Sequence, residues 1–192
     1  SEARAEFDAA LSADPYNPIA NNHLAEEAIR TGTYNDAIRY ARLALLVDSD
    51  NMNAYVNIAM AYRKMGQANL AKLVAFNALS MNPKAAQVYN VLGLLYLSED
   101  RVKLAITQFE KALHYRPDYT EANLNLGAII LNYNDFTGAR KHFDAVLAKV
   151  PEHVDAILSR GVALRGLAKY ELAAQDYETV LRLKPGHLGA LY

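Results

Sequence analysis

The chain has 192 residues, 52% of them hydrophobic and 21% charged, and its formal net charge is −1 at pH 7. This near balance gives no uniform field that would draw the molecule to nucleic acid or to an anionic membrane surface. Because there is no cysteine, disulfide bonds, thiol nucleophiles and thiolate metal sites are excluded, and the cellular compartment stays open between cytoplasm and periplasm.

The sequence also bears on membranes and on the extent of the parent protein. No apolar run approaches the ~18 residues that a membrane-spanning helix needs, so direct membrane insertion is not expected. The opening SEARAEFDAAL contains neither an initiator methionine nor an apolar signal core. We therefore expect the chain to be a segment of a longer protein.

A spacing of 34 residues runs through the whole chain without insertion or deletion. Alanine and leucine each fill one column without exception, and proline fills a third column at all but one position. These columns are Ala3, Ala37, Ala71, Ala105, Ala139 and Ala173; Leu11, Leu45, Leu79, Leu113, Leu147 and Leu181; and Pro15, Pro83, Pro117, Pro151 and Pro185, with Ser49 in the remaining place. A constant period of this length is typical of a repeat protein.

Apolar periodicity predicts the order of the helices along the chain. Residues 1–17 predict a lone second helix, and 18–51, 52–85, 86–119, 120–153 and 154–187 predict five complete helical hairpins, repeats 1 to 5, because apolar residues recur at helical steps of three and four. Residues 188–192 predict the start of another first helix. Together these elements predict a single array over residues 1–192.

One column lies at the break between the two helices of each hairpin. Gly32, Gly66, Asp100 and Asn134 occupy it, and all three residue types tolerate the left-handed conformation that ends a helix. Ala168 departs from this pattern.

Small residues recur where large core side chains would otherwise be expected. Packed helices lie about 8–10 Å apart, so small residues are needed wherever two backbones approach most closely. We expect the small column of the first helices to set this spacing and the aromatic residues of the second helices to supply cohesion. The small column is Ala25, Ala59, Gly93, Gly127 and Gly161, and the aromatic residues are Phe7, Phe109, Phe143 and Tyr177.

The 34-residue hairpin with small, aromatic and proline landmarks resembles the tetratricopeptide repeat, and the resemblance covers the whole chain. It implies an all-α fold, a right-handed superhelical α-solenoid of stacked helix-turn-helix 34-residue repeats. It also implies a concave surface, lined by first helices, that binds a peptide or helix of a partner protein. Two departures are Asn21 and Asn123 in an early aromatic column and Arg160 in an apolar one.

A related architecture, the pentatricopeptide array, reads RNA. Its period is normally one residue longer and its binding face is usually basic. The unbroken spacing of 34 and the net charge of −1 argue against it, so no nucleic-acid partner is expected.

Candidate partner-binding residues are the first-helix positions that the packing columns leave unused. An exposed apolar strip marks an interaction site, although these leucines could instead pack on an adjacent helix. A ladder of asparagine amides could hold an extended peptide backbone, or could simply face water. Basic residues among them could attract an acidic segment. The predicted concave-face residues are Asn22, Asn53, Asn57, Met60, Arg63, Lys64, Asn90, Leu94, Leu97, Leu124, Asn125, Leu131, Leu158 and Arg165.

The sequence contains no phosphate-binding loop, nucleophile elbow or dinucleotide-binding turn, and its five histidines form no metal motif. It therefore predicts no catalytic residue, cofactor or metal, and favours a non-catalytic protein–protein interaction scaffold. The alternatives are the substrate-recognition arm of a larger enzyme, such as a glycosyltransferase, and a bacterial envelope-associated assembly factor. Because residues 1–17 lack a first helix, end-to-end self-association is also expected.

Overall fold

The computed structural model describes residues 2–187 and Gly189, apart from the side chains of residues 2–5 and 8. Within these residues there are eleven helices and no strand. The helices are α1 Glu2–Ala13, α2 Pro18–Thr31, α3 Tyr34–Val47, α4 Met52–Lys64, α5 Ala68–Met81, α6 Ala86–Ser98, α7 Val102–Tyr115, α8 Thr120–Asn132, α9 Phe136–Lys149, α10 Val154–Gly166 and α11 Tyr170–Leu183.

These bounds confirm the all-α arrangement of helix-turn-helix repeats. Each of repeats 1 to 5 holds one first helix (α2, α4, α6, α8 and α10) and one second helix (α3, α5, α7, α9 and α11), and α1 lies where the lone second helix was predicted. The predicted further helix over 188–192 lies outside the described residues, apart from Gly189.

Contacts divide the chain into two compact units, unit 1 over residues 1–108 and unit 2 over 109–192. In unit 1, α2 packs against α3 and α4, and α4 packs against α5 and α6. In unit 2, α10 packs against α8, α9 and α11, and α8 packs against α9. Helices α2, α4 and α8 therefore each contact the second helix of their own hairpin and the next first helix.

The turns inside the hairpins share one backbone conformation. Gly32 and Gly66 have φ of 85° and 74°, and Asp100, Asn134 and Ala168 have φ of 58°, 62° and 56°. The predicted left-handed column is confirmed, and it extends to Ala168, which the sequence pattern set apart. The hairpin geometry imposes this conformation on a residue whose Cβ disfavours it.

The small column marks the closest approach of the two helices in a hairpin. A Cβ on Gly161 would lie 2.6 Å from Cε1 of Tyr177, and one on Gly127 would lie 2.9 Å from Cε1 of Phe143. In unit 1 the equivalent positions of repeat 1 hold Ala25 and a second alanine, Ala41, both buried in one core cluster. Glycine faces an aromatic ring and alanine faces alanine, as close packing requires.

The asparagine in the early aromatic column of repeat 4 has a hydrogen-bonding role. Nδ2 of Asn123 donates to the carbonyl oxygens of Pro117 at 2.9 Å and Tyr119 at 3.1 Å, and its Oδ1 lies 2.8 Å from Nδ1 of His142. Because both amide hydrogens are used, Oδ1 must accept and Nδ1 of His142 must donate. Burial lowers the pKa of His142, which favours the neutral ring.

The same arrangement anchors repeat 1. Nδ2 of Asn21 donates to the carbonyl oxygens of Pro15 and Asn17, each at 3.0 Å. In repeat 3, the hydroxyl of Tyr89 is the equivalent donor and bonds the carbonyl of Pro83 at 3.0 Å. Asn21, Tyr89 and Asn123 therefore serve one purpose, which is to satisfy the proline carbonyl that precedes α2, α6 and α8.

Arg160 is explained by its partners. Its guanidinium donates to both carboxylate oxygens of buried Asp176, at 2.9 and 2.7 Å, and to Asp144 at 3.1 Å. These hydrogen bonds raise the pKa of Arg160 above its ordinary value. A charge network in repeat 5 thus replaces the apolar packing of the equivalent positions in repeat 2, where Val74 packs against the core cluster that contains Ile58.

Candidate partner-binding face

We call the surface formed by the predicted concave-face residues of the first helices the first-helix face. It is described for each unit by itself. In unit 1 it is carried by the neighbouring helices α2, α4 and α6, and in unit 2 by α8 and α10. Its residues recur at steps of three and four, which keeps them on one side of each helix.

The apolar residues of this face are all half-buried. They are Met60, Leu94 and Leu97 in unit 1, and Leu124, Leu131 and Leu158 in unit 2. Met60 packs against the core cluster that contains Val88, and the three unit 2 leucines pack against clusters in that unit. These four side chains therefore pack against the core while part of each remains accessible to solvent. Each can serve both alternatives that the sequence left open, which are packing within the protein and contact with a partner.

Three of the predicted asparagines are buried, with 6%, 4% and 6% of Asn22, Asn57 and Asn90 exposed. Nδ2 of Asn22 donates to Oδ1 of Asn51 at 2.9 Å, and Nδ2 of Asn57 donates to the carbonyl oxygen of Asn22 at 3.2 Å. Oδ1 of Asn51 also accepts from the amide of Ala54, which caps α4.

The expected open ladder of amides therefore needs correction at these three positions. Their burial leaves little surface for a partner, and Asn22 and Asn57 bond across the junction between α2 and α4 because a buried amide needs a partner inside the protein. Of the other two asparagines, Asn53 is exposed and Asn125 is half-buried.

Arg63 is the most distinctive polar residue of the unit 1 face. Its Nε is buried and has no hydrogen-bond partner in the described part of the chain. Burial lowers the pKa of the guanidinium because desolvation disfavours the cation. The neighbouring Lys64 is exposed in the last turn of α4. An anion beside Arg63 would offset the cost of burying its charge.

In unit 2, a cavity of about 510 Å³ brings together Leu131 of α8 and Arg165 of α10. Its remaining lining comes from Asn132, Asn134, Phe136, Val162 and Gly166. None of these was among the residues predicted to bind a partner, although Val162 shares the helix side of Arg165, and that spacing was the available signal. A Cβ on Gly166 would lie 2.5 Å from the Phe136 ring, so glycine is what allows the ring to form this wall.

Metal sites and membrane-spanning helices are two other features that bear on function. In the described residues, no group of three or more histidine, aspartate or glutamate side chains is placed to hold a metal ion. Among the described helices, none has the length and hydropathy to cross a membrane.

The fold and this face define a repeat protein built of stacked helical hairpins. The sequence profile of the family described as tetratricopeptide repeat matches residues 1–54, 56–118 and 131–187. The chain belongs to the tetratricopeptide repeat family. No curated protein shows significant sequence similarity to it.

Several solved structures share the fold. YrrB, described as a tetratricopeptide repeat protein with an unusual peptide-binding site, is 23% identical over 96% of this chain and 95% of its own, with a TM-score of 0.61. PilF of Pseudomonas aeruginosa is 21% identical over 99% of this chain and 86% of its own, with a TM-score of 0.72. MamA is 19% identical over 86% and 90%, with a TM-score of 0.61.

Proposed function

We propose that this chain is a protein–protein interaction scaffold that binds a peptide or helix segment of a partner on its first-helix face, the face that the sequence predicts to be concave. The observation that carries the proposal is half-buried Arg63, whose Nε has no hydrogen-bond partner in the described part of the chain, beside half-buried Met60 on the same helix. A binding face needs apolar contact for affinity and a few polar groups for specificity.

The chemistry of the face describes the partner segment. Apolar side chains would cover Met60, Leu94 and Leu97, and a carboxylate would pair with Arg63. Exposed Lys64 adds positive charge beside it. In unit 2, the cavity between Leu131 and Arg165 would accept a further apolar side chain. YrrB supplies a precedent for peptide binding by this fold.

The test uses the immobilised chain to capture partners from an extract of its source cells, with the bound proteins identified by mass spectrometry. We expect Leu94→Glu combined with Leu131→Glu to abolish capture, because two carboxylates replace apolar contacts at half-buried positions. Arg63→Glu should remove the subset of partners that supply an acidic group. The melting temperature of each variant is measured beside capture, because Leu131 also packs against a core cluster of unit 2 and its replacement should lower stability.

The matched control is Leu172→Glu, which makes the same change at an exposed leucine on second helix α11. Partners retained by Leu172→Glu and lost from the double variant support the proposal. Equal capture by the parent chain and the double variant would rule out the first-helix face as the binding surface.

A further inference from the structure

A separate surface lies on the second helices of unit 1. Leu43 and Leu46 of α3 and Leu70 of α5 line one cavity there, and the exposed Leu73 and Phe76 follow Leu70 along α5 at steps of three. We call this set, with Arg39 and Arg42, the second-helix patch. Leu46 is 73% exposed and Phe76 is 50% exposed. Solvent contact of this extent by several large apolar side chains on one surface is typical of a binding site.

Five residues of the patch, namely Arg39, Arg42, Leu43, Leu46 and Leu70, line a cavity of about 590 Å³, and Leu73 and Phe76 lie outside its lining. Ile38, Leu43, Leu46 and Leu70 form most of its apolar wall, and Arg39 and Arg42 supply its charge. No carboxylate in the described residues lines it. The cavity is therefore an apolar depression with a positive rim, large enough to receive apolar side chains from another molecule.

The other repeats show that the fold does not require these apolar residues. Residues 34 or a multiple of 34 positions away occupy the same place on other second helices, and most of them are polar or charged. The equivalents of Leu46 are Ser80, His114, Ala148 and Arg182; those of Leu73 are Arg39, Thr107, Lys141 and Gln175; and those of Phe76 are Arg42, Glu110, Asp144 and Glu178. A large apolar side chain at the positions of Leu46, Leu73 and Phe76 is thus specific to α3 or α5, whereas the position of Leu70 also holds leucine at Leu104 and Leu172.

We propose that the second-helix patch docks an amphipathic helix of a partner protein, whose apolar side chains enter the cavity and whose flanking carboxylates pair with Arg42 and Arg39. Charge complementarity favours this occupant. Arg42 is exposed, and Arg39 is exposed while it holds Asp36 at 3.0 Å and lies over the Tyr40 ring. The Asp36 contact shows that Arg39 already pairs with a carboxylate at this rim.

A second copy of this chain fits the patch less well. A two-fold symmetric dimer would place the patch against itself and bring Arg39 and Arg42 close to the same arginines of the other copy. Like charges at an interface oppose association.

The 14 residues of α3 extend about 21 Å, which a helix of similar length on the partner would match.

The probe is a synthetic helical peptide of about 16 residues with leucines at positions i, i+3, i+4 and i+7 and glutamates beside them. A matched peptide carries lysine in place of every glutamate. Binding of each fluorescently labelled peptide to the whole chain is measured by anisotropy. We expect the glutamate peptide to bind at least about tenfold more tightly than the lysine peptide, with a difference that shrinks at high salt.

Variants locate the binding. Leu46→Ser with Phe76→Glu installs the residues found at equivalent positions in other repeats, so the hairpins should keep their fold. This double variant should weaken the glutamate peptide by about tenfold or more, since both apolar contact and charge complementarity are lost. The control Leu172→Asp introduces the equivalent residue Asp36 into α11, and should leave affinity unchanged.

Four results would overturn the proposal. They are no binding of the glutamate peptide at about 1 mM, equal binding of the two peptides, full binding by the patch variant, and a dimer in light scattering that Leu46→Ser with Phe76→Glu dissolves. The last result would mean that a second copy covers the patch. The peptide should still bind Leu94→Glu with Leu131→Glu, so this test and that of the first-helix face succeed or fail independently.

Discussion

At the contact between the two helices of a hairpin, the size of one side chain is matched to the size of the side chain opposite. Gly127 and Gly161 have no Cβ because Phe143 and Tyr177 occupy that space. The same two positions of repeat 1 hold Ala25 and Ala41, which share the volume more evenly. The repeat pattern predicted that small residues lie at this contact, but the size of the partner determines whether alanine fits.

Ala168 provides a test of the left-handed turn. Its φ of 56° is disfavoured for alanine, whereas glycine adopts it freely. We expect Ala168→Gly to raise the free energy of unfolding by about 1 kcal/mol, even though glycine usually destabilises a protein. Urea denaturation followed by circular dichroism measures the change.

A second alanine serves as the control. Ala174 is an exposed residue inside α11, where Ala174→Gly should lower the free energy of unfolding by about 0.5–1 kcal/mol. If both substitutions were destabilising by similar amounts, the left-handed conformation at residue 168 would carry no strain.

At the scale of elements, ion pairs connect the two helices of repeat 5 at positions where apolar side chains pack together in repeat 2. Arg160 of α10 spans the hairpin to Asp176 of α11, and Asp144 of α9 adds a link to the preceding repeat. A buried ion pair of this kind fixes how helices align, but it adds less stability than its short distances suggest, because both charges lose water.

A double-mutant cycle tests this account. Asp176→Val leaves Arg160 with Asp144 alone, and we expect it to cost about 2–4 kcal/mol of unfolding free energy. Arg160→Ile with Asp176→Val copies the Ile58 and Val74 pair of repeat 2, and should come within about 1 kcal/mol of the parent chain or exceed it. Chemical denaturation of the four proteins gives the coupling energy. Additive losses would mean that the two residues do not depend on each other.

At the scale of the whole molecule, contacts within each unit join helices that are close in sequence. In unit 2, for example, α11 packs against α10, and α10 packs against α8 and α9. Stability in such a protein is approximately a sum of terms for each repeat and for each junction between neighbours. A local change should therefore have a local effect.

Hydrogen exchange can measure how far a disturbance spreads. We expect Asp176→Val to accelerate amide exchange in α10 and α11 and to leave α2 to α5 unchanged, because those four helices belong to unit 1 and a local change in a repeat protein acts mainly on neighbouring repeats. Arg160→Ile with Asp176→Val should restore protection. Faster exchange throughout the chain would show that the molecule unfolds as one cooperative body.

The candidate site was only partly predictable. The positions of Met60, Leu94 and Arg63 on the first helices followed from helical spacing, and the structure leaves each of them partly accessible. The burial of Asn22 and Asn57 did not follow, because it depends on a hydrogen bond across a junction between repeats. The lack of a hydrogen-bond partner for Nε of Arg63 did not follow either, because it depends on whether neighbouring helices place an acceptor beside it.

The sequence by itself determined the all-α arrangement of helix-turn-helix repeats and the column of left-handed turns, because these depend on local periodicity and on backbone preferences that repeat every 34 residues. Tertiary structure decided which polar side chains are buried, which charge network replaces an apolar contact, and which leucines remain open to solvent. Those outcomes depend on distances between residues of neighbouring helices, and a pattern along one chain does not contain such distances.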